Sequence, residues 1–428
     1  MQRARSQTTD PIAEMWSAFR KFLHGTALFA ILVLLLIVFL DMVVLAWSWW
    51  PVSEGAMRID SYSVLFIIAP HPVGETAING LQAVVLGAIL FMTGLVLYAI
   101  KRSGRFPGLG GGGTTFTAAT AIVSGGGLVA QGAYLAATGG LSDPTSVPNV
   151  LPSPMGLMVV RFSILAQWHS IMMGAIFMSF AAMLYIEGPS FLGTLRSSLK
   201  RATLPSIRTD NAIIMVPRLY LGIVGLNVVY TIILYLFTVQ QEVPDFEAMP
   251  LWEQLHAFAE ASVWEEVLTR VLLLGVPLMI YHVLTGRPER NRWRYLVGGG
   301  MRIDSAAFVL IVLQGLVFAL AHVAGWDLWK VLPTVISGIA FGYLFLKKGL
   351  WAAIMLHFTF DYLGMTAPAF AQWGLQVDSA MSVAYLFLSI TGLVVLVHYL
   401  VIIVREGPAE LREALTGRPA GTTPDGNP

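Results

Sequence analysis

Long apolar runs, separated by short segments rich in charge, glycine or proline, make up most of this chain. Ten of them come close to or exceed the roughly 20 residues a helix needs to cross about 30 Å of hydrocarbon. They fall at about 26–48, 78–100, 115–138, 157–186, 212–239, 255–283, 305–324, 328–346, 349–367 and 380–404. The third is the weakest, because Gly125, Gly126 and Gly127 interrupt it and such a stretch needs neighbouring helices to cover its backbone. The first follows Arg3, Arg5, Arg20 and Lys21. It is longer than the apolar part of a signal peptide, so it reads as a retained anchor. The pattern predicts an all-α, polytopic membrane helix bundle of about ten transmembrane helices.

The charged residues between the runs test that count. With ten spans and a cytoplasmic N-terminus, 21 of the 26 basic residues fall in inside segments, Arg161, Arg218 and Arg270 fall within spans, and only Arg58 and Lys330 fall outside. A wrong number of spans would scramble this asymmetry, so the positive-inside rule favours ten helices with both termini cytoplasmic. The acidic loop 240–254 then lies outside, and Trp49, Trp50, Trp326 and Trp329 sit near outer span ends, where indoles favour the interface. The expected organisation is a cytoplasmic segment 1–25, a five-helix membrane region 26–240 of unassigned role, a second membrane region 255–404, and a cytoplasmic, partly disordered tail 405–428. Such a protein belongs in a cell membrane, the plasma or inner membrane if its source is a prokaryote.

Composition agrees. Hydrophobic types make up 56% of the 428 residues and charged types 12%, about half the charge of a soluble globule. A net charge of +1 argues against nucleic acid as a partner, and zero cysteines remove disulfides, thiolate metal sites, lipidated cysteines and cysteine nucleophiles. Any chemistry must come from carboxylates, imidazoles and hydroxyls.

Ionisable groups inside spans are costly and therefore functional candidates. They concentrate in spans six to nine. Span six carries Glu265, Glu266 and Arg270 after Trp264. Glu266 and Arg270 are one helical turn apart and can form an ion pair. Glu265, about 100° round the helix, is left unpaired by its local sequence and is a candidate general base or acid. Span seven places Phe318 and His322 one turn apart, and span nine does the same for His357 and Asp361. At about 1.5 Å of rise per residue these levels are close enough for the groups to share one cavity. Phe318 reads as packing, and Gly338 with Gly342 as a close helix contact. In the other spans Asp41 is expected to pair with Arg161 or Arg218, and His398 is taken as structural.

Glu-Glu-x-x-x-Arg (265–270), Phe-x-x-x-His (318–322) and His-x-x-x-Asp (357–361), in this order, resemble the motifs of the CPBP family, the CAAX-protease and Abi intramembrane peptidases. The run SGIAFGYLFLKKGLWAAIMLHFTFDY (337–362) is similar to that family's approach to its last motif. The resemblance covers residues 255–365 and implies a catalytic membrane domain in the second half. It implies that Glu265 and His322 activate water, that His357 and Asp361 attend the oxyanion, and that Glu266 and Arg270 shape the site. Asp361 stands where many members carry Asn. An ionised Asp would repel an oxyanion, so Asp361 is expected to orient and charge His357 instead.

The expected function is an intramembrane endopeptidase, of glutamate rather than metal type, acting on a membrane-anchored or lipidated protein in the bilayer. No cofactor is favoured. The rival is a divalent metal such as zinc held by Glu265, His322 and His357, although no two histidines share a helix turn. A non-catalytic membrane scaffold or regulator that keeps the fold is the alternative function, and a transporter would spread its ionisable residues over two symmetric halves. The family name points to prenylated CAAX proteins on the cytosolic side, whereas the charge count puts Glu265 and His322 in the outer half. Either the topology is inverted, against the count of basic residues, or the cavity opens differently from its apparent depth, or the substrate is an exported or surface-anchored protein.

Overall fold

A computed structural model of the protein describes residues 11–59, 80–103, scattered positions between 114 and 129, 147–153, 156–162, 164–201, 211–287 and 289–416. Most of them are helical. The chain runs through α1 (Pro11–Ile59), α2 (Gly80–Ser103), a hairpin of β1 (Val147–Ser153) and β2 (Gly156–Phe162), α3 (Ile164–Arg201) and α4 (Ala212–Leu236). It continues with α5 (Leu251–Glu266), a π-helical segment (Val267–Gly275), α6 (Val276–Leu284), α7 (Ser305–Ala321), α8 (Val331–Lys347), α9 (Leu350–Tyr362), α10 (Thr366–Gln372) and α11 (Asp378–Thr416). The chain divides into two units, one of Met1–Ala46 with Met172–Pro428 and one of Trp47–Ile171.

Among the described residues six helical stretches are long and apolar enough to cross a membrane: Lys21–Ser48, His169–Ser197, Ala212–Leu236, Leu251–Leu284, Leu328–Lys347 and Asp378–Val404. The 17-residue α7 is a shorter apolar helix. Helix α2 lies where the second span was expected. The third expected span falls largely outside the described residues.

The structure corrects two of the predicted runs. Residues 157–162, expected to open the fourth span, instead form β2, paired antiparallel with β1, with Val147 opposite Phe162 and Ser153 opposite Gly156. Arg161 therefore lies on β2 rather than inside a helix. Val159 and Val160 are β-branched and suit a strand. A short apolar run of this kind is ambiguous between strand and helix. The ninth run is also divided: α9 is 13 residues long, and a turn at 363–365 separates it from α10.

Helix α9 is the buried element of the larger unit. Ala352, Ala353, Leu356, Phe358 and Tyr362 have no exposed surface, and the Tyr362 hydroxyl donates to the Leu255 carbonyl of α5 at 2.7 Å. In lipid, apolar surface does not drive helices together, so close packing and polar contacts must. Helices α7 and α8 show how. A Cβ on Gly338 would lie 2.8 Å from the Gly315 Cα, so the backbones approach as only glycines allow.

The far end of α8 is capped by a separate segment. Gly299, Gly300 and Met301 donate their N–H groups to the carbonyls of Phe345, Lys347 and Leu346 at 2.9 Å each, which satisfies carbonyls that a helix end otherwise leaves without partners. Gly298, Gly299 and Gly300 take φ of 72°, 87° and 64° to do this, a region that costs glycine little. Beside them the Lys348 ammonium meets Glu187 of α3 at 2.9 Å, with both side chains under 10% exposed.

Asp41 of α1 is fully buried. Its Oδ1 accepts from the Thr366 hydroxyl at the start of α10, not from an arginine as expected. A hydroxyl on a neighbouring helix suffices for one carboxylate oxygen, while the Arg218 guanidinium lies over the Tyr399 ring at 5.6 Å.

Candidate active site

The site grows from the point where α5 gives way to the π-helical segment. Glu265 and Glu266 are the last residues of α5, and Arg270 lies inside the wider turns that follow. Segments of this kind are rare and recur at functional sites. The arginine turns back on Glu266 through two bonds, Nε to Oε2 at 2.9 Å and Nη2 to Oε1 at 3.1 Å. Both side chains are completely buried. A bidentate pair of this geometry is among the stronger hydrogen-bonded contacts, and it leaves Glu265 facing elsewhere.

The third motif closes on the first. His357 of α9 directs Nδ1 to Glu266 Oε1 at 2.8 Å, and its Nε2 lies 3.3 Å from Asp361 Oδ2 and 3.8 Å from Glu265 Oε2. The ring stacks on Phe341 of α8 at 5.0 Å and 14°, and Phe318 of α7 meets it edge-on. Its orientation is thus fixed by Glu266 and by two aromatic rings. Asp361 was expected to orient and charge His357. The structure gives the shorter contact to Glu266, because the two residues project towards each other across the α5–α9 interface. Asp361 is in turn held by the Ser262 hydroxyl at 3.2 Å.

The second motif supplies the remaining imidazole. His322 ends α7, and its Nδ1 lies 2.8 Å from the Phe318 carbonyl one turn back. A carbonyl only accepts, so Nδ1 carries the proton and Nε2 keeps its lone pair. That Nε2 points at Glu265 Oε2, 3.7 Å away. Glu265 Oε2 is a buried atom with no hydrogen-bond partner among the described residues. Side-chain exposure grades across the cluster, from 0% at Glu266 and 7% at His357 to 21% at His322 and 33% at Glu265. The cluster has a closed floor, and Glu265 with His322 forms its open side.

Two contributors were not anticipated. Gln314, four residues before Phe318, accepts from Arg270 Nη1 through its side-chain oxygen. It donates to the carbonyls of Ile311 and Gly338 at 2.8 Å each. It is the only strongly polar side chain in the apolar run of α7, and that isolation was the available signal. Ser262 lies one turn before Glu266 on α5 and carried no comparable mark.

The three groups named for a rival metal, Glu265, His322 and His357, converge, with Glu265 Oε2 3.7 Å from His322 Nε2 and 3.8 Å from His357 Nε2. Among the described residues no group of three or more His, Asp or Glu side chains is arranged to hold a metal ion.

Residues 247–363 match the family described as type II CAAX prenyl endopeptidase, Rce1-like. The match covers about a quarter of the chain and supports a likeness of this segment to the CAAX-protease (CPBP) family. No curated protein and no solved structure matches the chain. The CAAX-protease segment starts just before α5 and ends just after α9, so all three motifs lie within it and α1 to α4 lie outside it. The likeness to a protease family and the six apolar helices support a peptidase of a membrane.

Proposed function

We propose that the protein is an intramembrane endopeptidase that cleaves a prenylated or otherwise membrane-anchored protein, with Glu265 and His322 activating the attacking water. One observation carries this reading. Glu265 Oε2, without a hydrogen bond of its own, stands 3.7 Å from His322 Nε2, too far for a direct bond and suited to sharing a water between them. A water placed there meets two acceptors, a carboxylate oxygen and an imidazole lone pair. Its proton passes to Glu265 as its oxygen adds to the scissile carbonyl, and that proton then goes to the leaving amine.

His357 would serve the oxyanion. Ionised carboxylates only accept, and one at each ring nitrogen favours a ring carrying both N–H donors. The 3.3 Å contact from Nε2 to Asp361 is long enough for that N–H to swing towards a substrate oxygen, while Glu266 keeps the ring in place through Nδ1. Arg270 holds Glu266, and Gln314 holds Arg270, so the donor is aimed before substrate arrives. On this reading no metal takes part, and activity on a farnesylated peptide persists in 1,10-phenanthroline.

The test uses the full-length protein in lipid nanodiscs with a farnesylated peptide that ends in a short C-terminal tail. Release of the tail by wild type and its loss in Glu265→Gln, with the thermal unfolding midpoint unchanged, is the expected result. Cleavage by Glu265→Gln at the wild-type rate would overturn it.

A further inference from the structure

Beside the open side of the cluster lies a group that the proposed mechanism does not use. Between α7 and α8 the chain reverses through Asp327, whose φ of 64° and ψ of 177° are unusual for any residue but glycine. Its Oδ1 accepts from the next N–H, that of Leu328, at 2.6 Å. The turn brings Lys330 back over residues that follow His322. The Lys330 ammonium sits 3.8 Å from the centre of the Trp326 ring and 5.5 Å from that of Trp329. Both indoles are themselves braced. The Trp326 ring packs against Phe246 at 5.8 Å. Trp329 donates through Nε1 to the Glu242 carbonyl at 2.9 Å, and its own carbonyl accepts from Tyr230 at 3.0 Å.

The Trp326 N–H donates to the His322 carbonyl at 3.0 Å, so the ammonium held over the Trp326 ring lies one turn beyond His322, at the edge of the site. It forms no ion pair with a carboxylate among the described residues; the π faces of two tryptophans hold it instead. An ammonium so held keeps its hydrogen-bond donors for an incoming anion. The surrounding cluster already contains three carboxylates, so a further acidic side chain of the protein is not what this cation is waiting for.

We infer that Lys330 is the subsite for an anionic group on the leaving side of the substrate, namely the free C-terminal carboxylate of the short tail that is released. The inference rests on the peptidase reading. A short tail always ends in a carboxylate whatever its side chains are, so a single cation can recognise it without reading sequence. A lipid phosphate has the same anionic chemistry, and tryptophan with lysine also occurs at membrane interfaces, so the experiment separates the two sources.

Two farnesylated peptides identical except for a C-terminal carboxylate or a C-terminal amide are offered to the wild type, Lys330→Gln and Lys330→Arg. The assays are run in phosphatidylcholine vesicles with and without phosphatidylglycerol. The wild type is expected to show a KM about tenfold lower for the carboxylate peptide, the scale of one charge-assisted hydrogen bond, at equal kcat. Lys330→Gln should raise the KM of the carboxylate peptide to that of the amide, and Lys330→Arg should keep the difference. No discrimination by the wild type, or an equal loss on both peptides in Lys330→Gln, overturns the inference and leaves the peptidase reading standing. So does an effect of the substitution that appears only with phosphatidylglycerol, which would assign Lys330 to lipid. Cleavage of neither peptide by the wild type removes the peptidase reading and the subsite with it. If Lys330→Gln fails to fold, the wild-type preference and its retention in Lys330→Arg still decide.

Discussion

His282 and His357 are both nearly buried, and each places a carboxylate against its ring, yet their surroundings differ in one respect. Around His282 every partner is matched. The Glu289 N–H donates to the Tyr295 hydroxyl at 2.8 Å, that hydroxyl meets His282 Nδ1 at 2.8 Å, and Nε2 meets Asp304 Oδ2 at 2.9 Å. Burial raises the Tyr295 phenol above its ordinary value, so it remains an O–H donor. An ionised Asp304 only accepts, so the Nε2 that meets it carries a proton. The other Asp304 oxygen caps α7 by accepting from Ala307. Around His357 the chain of partners runs through Glu266, Arg270 and Gln314 just as completely, but it stops at Glu265, whose Oε2 is left without a hydrogen bond. Burying a polar atom without a partner is costly. A network that closes on itself holds structure, and one that ends in an uncommitted carboxylate beside an opening fits the proposed role of activating water.

The strongest way to break that contrast is to remove the uncommitted group. Glu265→Gln should lower kcat by about 10²–10⁴, the usual worth of a general base, with no loss of thermal stability. A variant that unfolds instead would put Glu265 in the same class as His282. Glu266→Gln should do the reverse first. It leaves Arg270 buried without its charge partner, and the expected loss is about 3–5 kcal/mol of stability, read as a large drop in the unfolding midpoint in detergent. His282→Ala should cost about 1–3 kcal/mol, the penalty of leaving Tyr295 and Asp304 without their shared partner. The folded fraction should keep the wild-type kcat, and a folded but inactive His282→Ala would erase the distinction between the two networks. Ser262→Ala should have the smallest effect, about 0.5–1.5 kcal/mol. Its mark would be a few-fold change in kcat, because Asp361 keeps His357 but loses a hydrogen bond at 3.2 Å.

Much of the site could be read from the chain because its key pairs are local. Glu266 with Arg270, Phe318 with His322 and His357 with Asp361 are each one turn apart, and a helix brings such residues together whatever the rest of the molecule does. What spacing could not supply was the contact between turns. The bond from His357 to Glu266 depends on how α9 packs against α5, and the orienting role expected for Asp361 is shared because of it. Gln314 escaped notice because it is uncharged, and its importance lies in three partners on three different segments. The fourth span was misread at its start for a related reason. Hydropathy measures how apolar a stretch is, and the stretch at 157–162 is apolar; the β-branched valines that suit it to a strand act through side-chain shape, to which hydropathy is blind.

The π-helical segment from Val267 to Gly275 also acts as a phase shifter. Each residue of an ordinary helix advances the azimuth by about 100°, and a wide turn accommodates an extra residue within the same span. Side chains before and after it therefore face directions that an uninterrupted helix could not combine, with Glu265 and Glu266 set by one register and His282 by another. Deleting a single residue inside 267–275 would restore one continuous register. It would rotate one end of this rod by about a quarter turn relative to the other, so that the carboxylates and the loop anchor at His282 could no longer both be in place.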